Sequence, residues 1–455
     1  MSKTKSAFTI YEASVILPNM GEDEKSVDIR ANVLEIDFFE NIHKPYVDAR
    51  IAILDDFGFK NTLSIQGTER IRLTIKDGTD DEGAAIIKYF FISKVNQTKR
   101  VNERSEVVSF DLVEDHVYVN AVKQISRSYS ENIENIITDI CTNDLKKKVV
   151  RNFFNTTAQG VRKVIVPYLS PLEAVQWLKT RATTRTGSPI FLHGDLYSNN
   201  LYLSDLDTLL GQQDVINKKL PMRYVTSASS TPAEEESLRP YYEIISYREV
   251  DAEDTLGLYE NGAIGSGYAN LDAGTGVSID AHISVRDIID EFYTNGLISV
   301  QSAQTIYDPS LVIDGKLSDE YNSLNIFQVT SSKTYNQFMS IHDEAIVLDQ
   351  NNDIAESKLK VKNKIIRHIL KRNTIEIGMN GAFFLEGRIP VGTKLRILFL
   401  NPDVNKNKKE IKDQIDKRKS GDYLLLATNH KMTQERHTVV LRLTKLGELP
   451  SDFAL

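Results

Sequence analysis

The two ends of this 455-residue chain are written with the same words in the same order. Near the start, Gly67-Thr68-Glu69-Arg70-Ile71-Arg72-Leu73 leads into a polar excursion, then an apolar run opening at Tyr89 (YFFISKV). A polar turn region and a closing run, EVVSFDLV, follow. Near the end, Gly392-Thr393-Lys394-Leu395-Arg396-Ile397 leads into a polar excursion, then an apolar run opening at Tyr423 (YLLLATN), a turn and TVVLRLT. The opening words differ by one residue in spacing. Strand-rich chains share such words cheaply, so the weight rests on order and rough spacing together. A duplication decides the layout before any local motif does.

Both units read as antiparallel β-structure. Apolar residues alternate at Val27, Ile29, Ala31 and Val33, then resume at Leu34, Ile36 and Phe38. That one-residue phase shift predicts a β-bulge, because an uncompensated slip would turn the whole apolar face outward. Val47, Ala49, Ile51 and Ile53 alternate again, as do Ile71, Leu73 and Ile75. Strand character returns after Asn373 in TIEIGM, AFFLEGRIPVGTKLRILFL, DYLLLATNHKM and HTVVLRLTKLG. Alternating strands separated by turn residues predict barrels or sandwiches. The expected fold class is mainly β with α+β inserts, one β-barrel at each end.

The middle is different. SENIENIITDICTNDL places Ile133, Ile136, Ile137 and Ile140 at helical spacing, with Ser130 as the expected N-cap. In LSPLEAVQWLKTRA, Ser170 caps, Pro171 opens the helix and Glu173 completes a capping box; Leu172, Val175 and Leu178 share a face beside Trp177. SPIFLHGDLYSNNLYLSDLDTLLGQ reads as strand, turn, strand and short helix. TSASSTPAEEESLRP reads as a surface loop, YYEIISYRE as a strand, and the glycines from 262 to 276 as a flexible linker. KLKVKNKIIRHILKR suggests a basic helix. In the loop from Asp403 to Gly421, Ile411 and Ile415, and Asp413 and Lys417, stand one turn apart. That is a charged helix, either a solvated excursion or a docking element for a neighbour.

Composition closes several routes. The length suits two to four domains with real cores. No apolar run is long enough to cross a bilayer, and the N-terminal residues show no export signal. The single cysteine, Cys141, leaves no intramolecular disulfide and points to assembly in a reducing cytoplasm. A net charge of −8 opposes the usual nucleic-acid binder, which needs excess Lys and Arg to release phosphate counterions.

One stretch imitates chemistry. His193-Gly194-Asp195-Leu196 with Asn200 has the spacing H-x-D-L-x-x-x-N of a kinase catalytic loop. The companion parts are missing: the close glycine pairs, Gly265/Gly267 and Gly274/Gly276, come after it, and no lysine strand precedes it. Asp205 and Asp207 follow Asn200 too closely for a second metal-binding strand. Gly194-Asp195 and Ser198-Asn199 are better read as turn residues between strands. No G-x-S-x-G elbow or H-E-x-x-H helix occurs, Glu234-Glu235-Glu236 reads as a solvated run, and His430 and His437 flank an expected hairpin turn. The sequence thus offers no catalytic residue set, no cofactor site and no metal site.

Taken together, these segments resemble the central hub protein of contractile-tail bacteriophage baseplates, a relative of the type VI secretion spike hub. Pro171, Trp177, Phe191, Leu201, Leu203, Leu206 and Leu209 take the places of that family's Pro-started helix and hairpin; Gly421, Tyr423 and His430 match its closing strand. The stretches 212–240 and 251–370 do not follow the pattern. The resemblance implies a tube-like barrel over 1–117, an α/β insert over 118–210, and a linker with the second barrel's first strand over 211–250. A mixed α/β insert over 251–370 and the rest of the second barrel over 371–455 complete it. It also implies a virion protein of the tail baseplate, a homotrimer whose six barrels adapt a hexameric tail tube to a trimeric spike. Tail tube and central spike proteins are the implied partners, with wedge and tape-measure proteins as further candidates. DNA would pass through the channel without specific binding. The competing readings are a phosphotransferase using His193, Asp195 and Asn200, and a sugar-binding β-module.

Overall fold

The computed structural model describes residues 8–17, 26–56, 58, 65–77, 85–101, 105–152, 162–182, 184, 186–212, 222–224, 243–250, 255–272, 276, 278–296, 311–330, 350–371, 374–399, 415–416, 419–433 and 436–447. The TSASSTPAEEESLRP loop and the Ile411, Asp413 and Lys417 positions of the charged loop lie outside them.

The first unit comprises β1 (Phe8–Ile16), β2 (Ser26–Asp28), β3 (Val33–Asn41), β4 (Asp48–Asp55), β5 (Arg70–Asp77), β6 (Ile86–Arg100) and β7 (Glu106–Glu114). The expected long strand through Ile29 is broken: Arg30–Asn32 form a 3-10 turn, and β3 starts only at Val33. The predicted bulge is present, as a register shift between Val33 and Glu35 against β4.

The first insert follows as α1 (Asp115–Val122), β8 (Ile125–Glu131), α2 (Ile133–Asp139), β9 (Val149–Asn152), β10 (Arg162–Leu169), α3 (Pro171–Arg181), β11 (Ile190–Gly194), β12 (Leu201–Asp205) and α4 (Leu206–Leu210). The N-cap of α2 is Asn132, because Ser130 is committed to β8, paired with Lys163. The capping box of α3 forms as expected, with Glu173 accepting from the Ser170 amide at 3.1 Å. Ile136, Ile137, Val175, Leu178, Leu192 and Leu203 pack into one apolar core.

Next come β13 (Met222–Tyr224) and β14 (Ile244–Glu249). The second insert contains α5 (Thr255–Glu260), β15 (Gly265–Asp272), β16 (Ser278–Ser284), α6 (Val285–Thr294), β17 (Val312–Ile313), β18 (Lys316–Leu317), β19 (Leu324–Thr330) and α7 (Gln350–Ile369). The glycine-rich stretch is therefore not a linker throughout. Gly265 and Gly267 lie in the central strand of a three-stranded sheet, β16-β15-β19. A Cβ on Gly265 would stand 2.5 Å from the Tyr321 carbonyl oxygen, so glycine there allows close packing rather than flexibility.

The chain finishes with β20 (Thr374–Asn380), α8 (Ala382–Gly387), β21 (Lys394–Phe399), β22 (Gly421–Thr433) and β23 (His437–Gly447). AFFLEG, expected as strand, is the short helix α8. It buries Phe384 and Leu385 and ends in Arg388 at φ 47°.

The two β-units share one strand order. In the first, the hydrogen-bonded path is β5-β6-β7-β4-β3; in the second it is β21-β22-β23-β20-β14, antiparallel at every step. Two of the bulges correspond: Val33/Glu35 in β3 matches Ile244/Ser246 in β14, and Ile92/Lys94 in β6 matches Leu425/Ala427 in β22. With those bulges as marks, the pairs Ile51↔Phe110 and Ile53↔Val108 correspond to Ile377↔Leu441 and Met379↔Val439. All eight are buried. The duplication is thus carried by the core, where side-chain volume and facing are both constrained. One detail shifts. Arg70 corresponds to Lys394, so the two glycine words are offset by one residue, and buried Tyr423 matches Phe90 rather than exposed Tyr89.

The units join edge to edge. β22 pairs with β3 from Ala427↔Asn41 to Thr433↔Glu35, so both belong to a single 13-stranded sheet. Among the described residues, neither unit closes into a barrel through hydrogen bonds; the sheet path runs open from β14 to β2. The architecture is mainly β, with helical inserts. No described helix is long and apolar enough to cross a membrane.

Candidate assembly site at the seam of the two units

The kinase-like segment occupies the seam. β11 and β12 form the predicted hairpin, register Ile190↔Asp205 to Gly194↔Leu201, and residues 195–200 are its tip. The tip is plugged into the sheet beneath. Lys88, buried on the core face of β6, donates to the carbonyl oxygens of Asp195 and Ser198 at 2.6 Å each and to Glu114 Oε1 at 2.9 Å. The Leu196 amide donates to Glu40 Oε1 at 2.8 Å, and the Tyr197 hydroxyl to the Phe384 carbonyl at 2.9 Å. Glu40 lies on β3 and Phe384 on α8, so one turn grips both units.

Each residue of the imitated motif has a structural occupation. The Asp195 carboxylate accepts from the Tyr197 amide at 3.0 Å, a local turn contact, and is buried. His193 is buried and stacked on Tyr202, with ring centroids 5.7 Å apart. The Asn200 amide donates to Ser198 Oγ at 3.2 Å. A Cβ on Gly194 would stand 2.9 Å from the Tyr46 Cα, so this glycine permits the β3–β4 hairpin to press against β11. The structure brings His193, Asp195 and Asn200 into one closed turn, in which the Asp195 carboxylate and the Asn200 backbone N–H are engaged.

The electrostatics are those of a sealed joint. Burial, followed by the neighbouring Asp195 carboxyl, raises Glu40 to about 7. Burial resists ionisation of Glu114 too, but Lys88, Lys147 and His116 outweigh it and hold that carboxyl below its ordinary value. Thr428 Oγ1 on β22 donates to Glu40 Oε2 at 2.8 Å. His430 and His437, which flank the β22–β23 turn as expected, are buried with their rings hydrogen-bonded, Nδ1 to Nε2, at 3.1 Å. Burial lowers His430 to about 4.

On its solvent side the seam carries a groove of about 290 Å³ lined by Phe39, Asn41, Asn429, Val440 and Arg442 among others. Three ion pairs lie on this side: Arg50 with Asp111 at 2.9 Å, Lys431 with Glu35 at 2.7 Å, and Arg248 with Glu376. Among the described residues, no group of three or more His, Cys, Asp or Glu side chains could hold a metal ion. Sequence reasoning missed Glu40, Lys88, Glu114 and Thr428. The only signal was a charged residue on the inward phase of a strand, as at Lys88 between Ile86 and Phe90.

No family model and no curated protein matches the sequence. Solved structures do match. A tail protein from Neisseria meningitidis MC58 is 12% identical with a TM-score of 0.51, covering 96% of this chain and 97% of its own. The 43 kDa tail protein of prophage MuSo2 from Shewanella oneidensis is 10% identical with a TM-score of 0.50, covering 95% and 98%. A component of the E. coli type VI secretion system covers 91% of this chain and 74% of its own at 8% identity, with a TM-score of 0.39. Over almost its whole length the chain has the fold of the Neisseria and Shewanella tail proteins.

Proposed function

We propose that this chain is a structural tail protein, the central hub of a contractile-tail baseplate, working as a trimer of pseudo-sixfold symmetry. The observation that carries the reading is the β22–β3 seam. Within one chain, the later half of β22 extends the sheet by pairing with β3. The corresponding elements are the later half of β6 and strand β14. Among the described residues neither has a second hydrogen-bonded strand there: β5 covers β6 only as far as Phe91, and β14, with β13 packed near it, ends the sheet path. Repeating the seam between chains puts β14 of one copy against β6 of the next. This is a heterologous contact, and it closes when three copies supply six equivalent units.

A ring with six similar units and three chains suits a hexameric tube on one face and a trimeric spike on the other. An open apolar-flanked edge is otherwise an aggregation hazard, which pairing removes. The solvent side of the seam is assigned to the channel. Arg50, Arg248 and Lys431 on it are each paired with a carboxylate, which leaves fewer cations to exchange for DNA counterions. The role is structural, not enzymatic, since the kinase-like turn is spent on holding the two units together. The matched tail proteins of Neisseria and Shewanella support the reading through their fold and names.

Electron-microscope class averages of the purified protein test it. The expected image is a threefold ring of six similar lobes around a hole; a compact single-chain particle or a twofold dimer would refute the proposal.

A further inference from the structure

We infer that the junction of the first insert, the β3–β4 hairpin and helix α7 is a binding site for a small oxyanion of the phosphate class. The site is built around Phe191 of β11. The His43 ring, from the hairpin, lies 5.5 Å from the Phe191 ring, and the Arg367 guanidinium, from α7, sits 5.9 Å from the same centroid. Buried His193 follows two residues along the strand. Lys179, near the end of α3, is only 4% exposed, and among the described residues it makes no hydrogen bond or ion pair. Arg367 donates Nε to Asn363 Oδ1 at 2.8 Å, but its Nη2 is buried without a partner, and so is Asn363 Nδ2.

These groups are all cations or donors, and they act on one another. Burial and then Arg367 push Lys179 down to about 8. Packing against Phe191 desolvates the His43 ring although the residue as a whole stays exposed, and with Lys179, Arg367 and Lys371 it pushes His43 down to about 4. No carboxylate figures among the groups acting on Lys179, His43 or Arg367. A buried lysine with a half-buried arginine close by and no counter-charge is costly, and a buried N–H without an acceptor adds to the cost. An oxyanion resolves both. It accepts from the guanidinium fork, the ammonium and the amide together, through charge-assisted bonds. The donors stand on three separate elements, α3, α7 and the hairpin, and an anion with several acceptor oxygens can serve more of them than a carboxylate can. His43 and Lys371 are exposed and form the rim. When filled, the site clips the two inserts together. This inference does not depend on the proposed trimer.

Calorimetric titration of the full-length protein with inorganic phosphate, sulfate and acetate at constant ionic strength tests the site. Phosphate and sulfate are expected to bind saturably, one per chain, and acetate not to bind. Lys179→Met and Arg367→Met should each weaken phosphate at least tenfold, and Lys179→Met without phosphate should melt no lower than the unmodified chain. Should either buried variant fail to fold, the rim variants His43→Ala and Lys371→Ala decide, with several-fold weakening expected in each. Absence of saturable phosphate binding, or affinity unchanged across the folded variants, would overturn the assignment.

Discussion

The Thr428 hydroxyl donates a hydrogen bond to the Glu40 carboxyl at 2.8 Å, across 388 residues of sequence. Glu40 also accepts the Leu196 amide, so one buried side chain links the first unit, the second unit and the insert between them. Removing the hydroxyl leaves one buried carboxylate oxygen without its donor. Thr428→Val should therefore cost about 1–3 kcal/mol, read as a lowered unfolding midpoint in urea. A neutral result would mean that the seam is held by its backbone ladder alone.

Glu40 also predicts a pH dependence. Its carboxyl stands at about 7 in the folded protein, against an ordinary 4.5. Between those values the folded chain holds a proton that the unfolded chain releases. Stability contributed here is full below pH 4.5 and falls as pH rises through 7, by at most about 3 kcal/mol. Glu40→Gln should flatten that slope, as thermal melts across the window would report.

The buried histidines slope the other way. His430 is lowered to about 4 from 6.5, so the unfolded chain binds the extra proton between those values. Its contribution is full above pH 6.5 and declines as pH falls through 4, by up to about 3 kcal/mol. His430→Gln should reduce the acid sensitivity of the melting temperature in that range, whatever its effect at neutral pH.

Lys88 is a sharper test of the insert's grip. Replacing it with Met strands the buried Glu114 carboxylate and frees the Asp195 and Ser198 carbonyls. The expected cost is about 3–5 kcal/mol. Proteolysis should then cut first within the 195–200 turn; cleavage unchanged from the parent would show that the turn is anchored elsewhere.

The edge pairing proposed between copies runs through β14, where Ile245, the bulge residue, is 67% exposed. A charge on an edge strand discourages strand addition. Ile245→Lys should lower the mass in solution while leaving the circular dichroism of the chain unchanged.

What the sequence disclosed was what periodicity can carry. The Val33–Leu34 phase slip located a real bulge, and the repeated word order located a real repetition of topology. The one-residue offset between Gly67 and Gly392 showed in the spacing, but the match of Tyr423 to Phe90 rather than Tyr89 did not, because turns of different length can feed the same strand. AFFL reads equally as strand or helix, and only the packing of Phe384 and Leu385 against the units settles it as helix. Gly265 and Gly267 resemble linker glycines because composition cannot register the close approach of Tyr321 and Asn325. The HGDLYSNN segment was legible as a turn. Its anchors were not: Leu196 meets Glu40 at a separation of 156 residues, and Asp195 meets Lys88 at 107. Contacts of that range leave no periodic trace.

Light scattering of the purified 51.4 kDa chain tests the trimeric hub most directly. One species with the mass of three chains, stable on dilution, is expected. A monomer or dimer at every concentration would contradict it.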